Sequence, residues 1–347
     1  MPAWLPAAIY ALITIILFRE FFFAGELLLG RDTYALSYTA RNLYTEFVQQ
    51  TGQFPLWNPY LFGGIPFVEG MHGDTFYPLS LALFFLDART MWGWKMVIHI
   101  FLAGVFTYLW LRGLGLRRGP AFFGGLVYMM GPDLVSLLYP GGDGKLFVSA
   151  LAPLMFWLTD RAARRGRISD FAFFSLGLAL VMFTSHMQLA YFTVWGVSLY
   201  FLFRVVEQWR AQKDTGRAAR QVVTFALAGA LGVGAAAVQF IPPVRYLREW
   251  SRRADMTVQA QGRTGYEYST SYSLHPEEIV SLVVPEFIGD NVATETRAGN
   301  TYWGRNAIKF NHEYAGLVPL LLIPLLLIRR RDPTAIFFMV LGVLALL

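Results

Sequence analysis

The sequence predicts an all-α polytopic membrane protein, and three observations support this fold class. Of the 347 residues, 55% are hydrophobic, 16% are aromatic and only 15% are charged, whereas soluble domains carry about 25% charged residues. Apolar runs that approach the length of a bilayer span recur along the whole chain. Basic residues concentrate in every second connection between these runs, which is typical of proteins that cross a membrane many times.

About nine apolar runs are candidate transmembrane helices, because a run of about 20 apolar residues crosses the hydrocarbon core as a helix. The predicted spans are 4–24, 94–112, 119–139, 146–160, 169–185, 189–204, 222–242, 313–329 and 334–347. The chain therefore divides into a transmembrane core of residues 1–242 that contains a long loop at 25–93, a second long loop at 243–312, and further transmembrane helices at 313–347.

The last run, 334–347, has 14 residues. At 1.5 Å per residue, a helix of that length extends about 21 Å, which is shorter than the roughly 30 Å hydrocarbon core. We therefore expect the chain to be truncated.

The distribution of arginine and lysine predicts the orientation. Connections after the even-numbered spans are rich in arginine, whereas the short connections after the third and fifth spans hold only Lys145 between them. By the positive-inside rule, the even-numbered connections and the N-terminus are cytoplasmic, and both long loops are extracytoplasmic. Residues 1–24 lack a basic n-region and a small-residue cleavage site, so we expect a retained span and not a cleaved signal peptide.

Arg31 and Asp32 open the first long loop, and an amphipathic helix is predicted directly after them at 33–50. Its apolar face is formed by Leu36, Ala40, Leu43 and Phe47, and its other side by Arg41, Thr45, Gln49 and Gln50. Such a helix lies in the membrane interface with its apolar face in the lipid. Asp32 is at the N-cap position. Its carboxylate either only caps the helix or also stands where a lipid head group would lie.

The following stretch, 52–85, alternates prolines and glycines and carries six aromatic residues from Phe54 to Phe76. Disordered linkers lack aromatic residues, because these need partners to be buried against. We therefore predict an ordered loop packed on the helix 33–50. Residues 77–86 are too few to span and are expected to be re-entrant or interfacial. The aromatic residues expected to be mostly buried are Trp57, Tyr60, Phe62 and Phe67.

Several short blocks occur in a fixed order along the chain: "LWNPYLFGGIPF" with "FYPLSL", then "GGDGKLFVSALAPLMFW", "SHMQLAYF", "HPEEIVSLVVPEFIG", "YWGRN" and "HEYAGLVPLLL". In this order they resemble the YfhO-type bacterial membrane proteins of the wider GT-C class of polytopic glycosyltransferases. The resemblance covers essentially the whole chain. The shared order of the blocks is more specific than any single block.

The resemblance implies a multi-pass enzyme of the bacterial cytoplasmic (inner) membrane with an acidic residue in its first outer loop. Such enzymes transfer a sugar from a polyprenyl-phosphate carrier to an acceptor outside the membrane, here a cell-envelope glycan or lipid. By position, Asp32 matches that acidic residue. The chain departs from the family at His72 and Asp74, where an Asn-Gln type stretch is expected, and at Gly142, where relatives often carry histidine.

Glycosyl transfer to a hydroxyl needs a carboxylate that takes the proton and a positive group that stabilises the departing phosphate. Asp32 is the first candidate for the base. Asp74 is the second, its alternative being a simple Gly-Asp turn residue. Asp32, Asp74 and His72 could also share a magnesium or manganese ion, because carboxylate oxygens suit these cations.

Arginine is the preferred residue for the phosphate, because its planar fork matches two oxygens at once. Arg245, Arg248 and Arg252 share one helical face on the outer side, and contact with anionic lipid head groups is the equal alternative. The remaining substrate-binding candidates are Arg31, Trp57, Asn58, His72, Lys145, His186 and Gln188. His186 and Gln188 lie at the outer ends of the fifth and sixth spans, where polar groups are often functional.

Other functions are less well supported by the sequence. It contains no phosphate-binding P-loop, dinucleotide fingerprint, zinc spacing or serine nucleophile elbow, and its short basic connections do not form a nucleic-acid face. A lipid or glycan transporter or flippase would need a polar path through the bilayer. Ionisable residues within the predicted spans are few, mainly Arg19, Glu20, His99 and Asp133. A non-catalytic GT-C-like membrane protein is the third possibility.

Overall fold

The computed structural model describes residues 2–26, 28, 30, 38–61, 63–70, 73–139, 141–250, 273–290, 301–305, 313–328 and 332–346. Within them nearly all of the regular secondary structure is helical. The helices are α1 (Leu5–Leu17), α2 (Thr39–Thr51), α3 (Pro78–Ala82), α4 (Ala88–Gly113), α5 (Arg118–Met129), α6 (Pro132–Ser136), α7 (Asp143–Arg165), α8 (Ile168–Met182), α9 (Met187–Gln212), α10 (Thr215–Ala235), α11 (Ala237–Glu249), α12 (Pro276–Ile279), α13 (Leu317–Ile328) and α14 (Pro333–Leu346). A π-helical turn, Glu20–Ala24, follows α1, and a 3₁₀ turn, Val280–Leu282, follows α12. The two short strands β1 (Trp57–Asn58) and β2 (Ile65–Pro66) form an antiparallel pair.

A helix coincides with each of the nine predicted spans, but among the described helices only four are long and apolar enough to cross a membrane by length and composition. These are α4, α7, α9 and α10, while α1, α8 and α14 are apolar but shorter. The all-α class is therefore confirmed, whereas the number of nine spans stays a prediction.

Two of the predicted spans are divided. The span at 119–139 becomes α5 and α6, because Pro132 starts a new helix and disfavours the helical conformation of the residue before it. The span at 222–242 becomes α10 and α11, which meet at Ala236. Gly232 and Gly234 lower the helix propensity of the last turn of α10.

Two apolar cores meet at α7. One joins α1, α4 and α5 to the start of α7, with Tyr10, Ile100 and Met129 fully buried. The other joins the rest of α7 to α8, α9 and α10, with Leu151 and Phe201 fully buried. Because α7 contributes to both cores, it is the central helix of the bundle.

The two ends of the bundle differ. The loop with β1, β2 and α3 lies at the N-terminal end of α7, where the Ser185 hydroxyl donates to the Gly73 carbonyl oxygen at 2.6 Å. We call this the loop end. The connections between α7 and α8 and between α9 and α10 lie at the opposite end, where the side chains of Gln208 and Gln221 both donate to the Ala163 carbonyl oxygen.

The prediction for the helix at 33–50 is right in existence and wrong in orientation. The described helix α2 covers 39–51, and residues 31–37 lie outside the described residues. Its buried residues are Ala40, Arg41 and Thr45, whereas Leu43 and Phe47 are only partly buried. Arg41 and Thr45, expected on the polar outer side, therefore face the protein. The reason is electrostatic, because Arg41 pairs with carboxylates inside the bundle.

The aromatic loop packs on α2, as predicted. The Tyr44 ring lies 5.5 Å from Phe54, 5.8 Å from Phe67 and 5.2 Å from Phe84, measured between centroids. Phe67 is buried, but the prediction of buried Trp57 and Tyr60 is wrong, since they are 54% and 79% exposed.

Local contacts account for the exposed rings of Trp57 and Tyr60. Trp57 rests against Gly64, where an added Cβ would lie 2.7 Å from its ring, and Tyr60 belongs to the turn between the strands.

Phe62 lies outside the described residues. The stretch 77–86 is indeed too short to span, because it forms only the five-residue helix α3 and turns.

Candidate functional site

A buried cluster of charged side chains lies at the loop end. It joins Arg41 of α2, Asp74 of the loop, Lys95 of α4 and Asp143 of α7. Arg41 Nη2 pairs with Asp74 Oδ1 and lies 3.5 Å from Asp143 Oδ2, while Lys95 Nζ lies 2.5 Å from Asp74 Oδ2. Ser80 donates to Asp74 Oδ2 at 2.8 Å and accepts from Lys95 Nζ at 2.8 Å. Four segments distant in sequence therefore share one polar network.

The backbone near the cluster explains how these side chains meet. Asp74 follows Gly73, whose φ of +117° is a conformation that favours glycine, and the Asp74 carbonyl accepts from the Tyr77 amide at 2.9 Å. The helix α4 begins six residues earlier than predicted, at Ala88. Its N-cap is Asp87, whose carboxylate accepts from the backbone amides of residues 89 and 90. The longer helix places Lys95 in the second turn, facing the loop.

Aromatic rings line the cluster. The Trp92 ring centroid lies 4.8 Å from the Arg41 guanidinium carbon and 5.6 Å from Lys95 Nζ, and the Phe147 centroid lies 5.1 Å from Lys95 Nζ. These are cation–π distances, at which the ring faces attract positive charge.

One helical turn after Lys95, His99 completes the buried network. A carbonyl can only accept, so His99 Nδ1 donates to the Lys95 carbonyl at 2.6 Å. His99 Nε2 lies 2.7 Å from the Tyr77 hydroxyl oxygen. This histidine therefore bridges the Lys95 backbone and Tyr77.

The electrostatics of Asp74 favour an ion-paired role over that of a base. Burial raises the pKa of Asp74, but the charges of Arg41 and Lys95, with hydrogen bonds from Lys95 and Ser80, outweigh it and lower the pKa to about 2. A carboxylate with so low a pKa is a weak proton acceptor near neutral pH. The turn interpretation is incomplete as well, because the side chain is buried among two cations.

Several donors next to this network have no partner. Among the described residues around this network, four buried atoms make no hydrogen bond, namely Arg41 Nε, Arg41 Nη1, Thr45 Oγ1 and Trp92 Nε1. Arg41 and Thr45 are one turn apart on the same face of α2, and Trp92 lies under the Arg41 guanidinium. Buried donors without acceptors cost free energy. Such a group of donors is suited to an oxygen-rich ligand.

Four of the predicted site residues lie outside the described residues, namely Arg31, Asp32, His72 and Arg252. The catalytic role of Asp32 therefore stays a prediction, as does the metal site of Asp32, Asp74 and His72. Among the residues that the structure does describe, no three His, Cys, Asp or Glu side chains are grouped so that they could hold a metal ion.

The other predicted residues near the loop end lie outside the charged cluster. Asn58 is buried, and its Oδ1 accepts from the Tyr60 amide at 3.0 Å in a turn. His186 is the N-cap of α9 and accepts from the Leu189 amide at 3.3 Å. Burial, followed by the charge of Lys145, lowers the pKa of His186. Trp57, Lys145 and Gln188 are exposed at this end.

Arg245 and Arg248 are exposed on α11. Arg245 Nε pairs with Glu249 Oε1 at 3.0 Å, and its side chain lines a groove of about 680 Å³. Arg248 lines an adjoining pocket of about 270 Å³. The predicted phosphate arginines therefore lie on an open surface, apart from the buried cluster.

The sequence did contain signals for the residues that prediction missed. Lys95 lies just inside the predicted span 94–112, yet it was not counted among the ionisable residues of the spans. Asp143 belongs to the block "GGDGK", in which the sequence points to Lys145 as the binding candidate and to Gly142 as a departure from the family. For Arg41 no local signal exists, because its partners are 33 and 102 positions away.

A second charged cluster lies at the opposite end. Asp160 of α7 is buried and accepts from Arg204 Nε at 2.9 Å, Tyr200 Oη at 2.8 Å and Arg164 Nε at 3.0 Å. Asp160 and Arg204 lie at the ends of the predicted spans 146–160 and 189–204, so they add to the four ionisable residues named within the spans from the sequence. Between the two clusters, α7 buries apolar side chains such as Leu151 and Met155, so the described residues of α7 do not form a continuous polar path.

Comparison of the chain with family models, with curated proteins and with solved structures returns no match. Functional inference therefore depends on the sequence blocks and on the geometry at the loop end.

Proposed function

We propose that the chain is a membrane glycosyltransferase that moves a sugar from a polyprenyl-phosphate carrier to a cell-envelope glycan or lipid. In this proposal the protein crosses the bacterial cytoplasmic membrane nine times, with a cytoplasmic N-terminus and the loop end outside. One observation carries the proposal: buried donors without acceptors, around Arg41, lie where polar side chains of four distant segments converge.

The sequence blocks with the family resemblance meet at this place, which supports a common site. Ser80 comes from "FYPLSL" and donates to Asp74 Oδ2, while Asp143 comes from "GGDGK" and pairs with Arg41. Ser185 comes from "SHMQ", donates to the Gly73 carbonyl and accepts from Gln239 Nε2 at 3.0 Å. A purely structural interpretation also explains the ion pairs, and the donors around Arg41 are the part that a ligand would satisfy.

The donor group offers hydrogen bonds of the kind that bind a phosphate oxygen, and the space beside Arg41 and Asp74 is about 10 Å³ in this structure, so a phosphate enters only after the loop moves. Arg41 is already neutralised by carboxylates, so its remaining contribution is directional, through Nε–H and Nη1–H, with Thr45 and Trp92 adding one donor each. Donors fixed in a buried site stabilise charge that develops on a leaving group. Lys95 forms an ion pair with one oxygen of Asp74 and holds that carboxylate in place. The other oxygen of Asp74 in turn positions the Arg41 guanidinium.

The proposed reaction is a direct displacement. The acceptor hydroxyl oxygen bonds to the anomeric carbon while the bond from that carbon to the carrier phosphate oxygen breaks. The hydroxyl proton passes to the Asp32 carboxylate, and the polyprenyl phosphate leaves with its charge facing Arg41. Asp74 fits a metal ligand poorly, because two cationic side chains occupy its oxygens and would repel a divalent cation.

The test uses the purified full chain in proteoliposomes, supplied with radiolabelled polyprenyl-phosphate glucose, galactose or mannose and a cell-envelope extract as acceptor. Wild type should transfer label from one of these donors. Asp32→Asn should lower transfer by roughly 10²–10⁴-fold, the usual contribution of a general base, with carrier binding retained. Asparagine caps a helix about as well as aspartate, so folding should be preserved.

A second variant examines the donors around Arg41. Thr45→Val removes an unpartnered hydroxyl at nearly constant shape, so it should leave thermal stability unchanged or raised and weaken polyprenyl-phosphate binding about tenfold. Thr51→Val is the matched control on the same helix, because that hydroxyl is exposed and already donates to the Phe47 carbonyl. Label that crosses the bilayer without covalent transfer would indicate a transporter, and binding without transfer a non-catalytic protein.

A further inference from the structure

A groove of about 680 Å³ runs along the loop side of α11. One wall is the end of β2 at Pro66 with Glu69 of the following turn, and the other is the exposed face of α11. The volume lies within the roughly 300–1,000 Å³ typical of ligand sites. Its polar and aromatic lining consists of Glu69, Arg245, Tyr246, Glu249 and Trp250.

The charge of the groove argues against an anionic occupant. Among the lining residues that the structure describes, Glu69 and Glu249 supply two carboxylates and Arg245 one guanidinium, so this part of the lining is net negative. Arg245 is also engaged by Glu249 at 3.0 Å. A phosphate or an anionic lipid head group would meet carboxylate repulsion here, unlike at the neutral cluster around Arg41.

The chemistry of the groove fits a ligand with many hydroxyl groups. Carboxylates only accept hydrogen bonds and a guanidinium only donates them, whereas each sugar hydroxyl does both. Trp250 is 74% exposed, and the electron-rich face of an indole attracts the polarised C–H groups on one side of a sugar ring. The exposed pair of Arg245 and Glu249 is weakly held, so both side chains can turn to a ligand.

Two consecutive hydrogen bonds connect α11, which forms one wall of the groove, to the turn that carries Asp74. Gln239 of α11 is buried, and its amide donates to the Ser185 hydroxyl, which donates to the Gly73 carbonyl next to Asp74. Ser185 holds a left-handed conformation, φ 65°, that is uncommon for a residue with a side chain. The α11 wall therefore lies beside the turn that carries Asp74.

We propose that this groove is a binding site for a neutral glycan, recognised by Trp250 and Tyr246 on its ring faces and by Glu69, Glu249 and Arg245 on its hydroxyls. As a glycan site the groove stands alone. Its role as the acceptor site rests on the proposed function, because the groove lies at the loop end, on the helix whose Gln239 is connected through Ser185 to the turn that carries Asp74.

The test measures glycan binding to the full chain in nanodiscs by calorimetry, with neutral hexasaccharides of glucose, mannose and galactose as probes. At least one should bind to wild type. Trp250→Ala and the nearly isosteric Glu69→Gln should each weaken binding at least tenfold. Trp4→Ala is the matched control, because Trp4 is 67% exposed but precedes α1 and does not line the groove. Its affinity should match that of wild type.

Three outcomes would overturn the proposal: no binding of any hexasaccharide, equal weakening by Trp4→Ala, or affinities within twofold of wild type for both groove variants. If Arg245→Ala weakens polyprenyl-phosphate binding more than hexasaccharide binding, the proposal is also overturned, in favour of a head-group site. Transfer and binding separate the two proposals. Wild type that binds a glycan without transferring label contradicts the glycosyltransferase alone, whereas transfer unchanged in both groove variants contradicts the acceptor role alone.

Discussion

Asp74 is held ionised by its neighbours, which determines the effect of replacing it. In Asp74→Asn, Lys95 and Arg41 stay buried while their main counter-ion is lost, and removing one partner of a buried pair costs on the order of 3 kcal/mol. Thermal unfolding in detergent should show this loss. Asp214→Asn is the control, because Asp214 caps α10 at an exposed site where asparagine caps equally well.

The same residue predicts a pH dependence. The pKa of Asp74 is lowered from 3.8 to about 2, so its contribution to stability is complete above about pH 4 and is lost as the pH falls toward 2. Between pH 4 and pH 2, the free energy of unfolding should fall more steeply with decreasing pH in wild type than in Asp74→Asn. Equal slopes in the two proteins would contradict the ion-paired description of Asp74.

Single residues also set the limit of sequence-based inference at the site. Hydrophobic periodicity assigns an arginine to the outer face of an amphipathic helix, since a buried charge is unfavourable without a partner. Asp74 and Asp143 supply that partner for Arg41, but they are distant in sequence. Nothing within α2 could have revealed them. For Lys95 the sequence alone indicates a buried ion pair, because a lysine inside a predicted span requires a counter-ion.

At the scale of elements, close helix packing depends on glycine at one face of α10. A Cβ at Gly232 would lie 2.6 Å from the Ser175 carbonyl oxygen of α8, whereas a Cβ at Gly229 meets nothing within 4 Å. Gly232→Ala should therefore separate α8 from α10 and lower the melting temperature. Gly229→Ala in the same helix should be neutral or stabilising by about 0.5–1 kcal/mol, from helix propensity alone.

Helix existence was predictable and helix division was not. Each apolar run became a helix, because burial and backbone hydrogen bonding favour that conformation for apolar runs. The break before Pro132 was visible as a Gly-Pro pair, yet apolarity continues through it and masked the break. Exposed Trp57 was missed for a different reason. Its partner is the backbone of Gly64, which leaves the other face of the ring open.

At the scale of the whole molecule, the proposed orientation gives the two ends different accessibility. The sequence contains no cysteine, so single cysteines report without background. Tyr60→Cys at the loop end should react with an impermeant maleimide in intact cells, and Arg165→Cys at the opposite end only after permeabilisation. Both positions are exposed. The reverse pattern would invert the topology and place the Arg41 cluster in the cytoplasm.

The two charged clusters of α7 have a further consequence for the surrounding lipid. Asp143 and Asp160 lie 17 positions apart on one continuous helix, or about 26 Å along its axis. Ion pairs to other helices hold both ends, so α7 cannot tilt on its own to relieve hydrophobic mismatch. A thicker bilayer must then thin around the protein, at a cost of a fraction of a kcal/mol per Å. Acyl-chain length becomes a determinant of stability, with an optimum set by the separation of two aspartates.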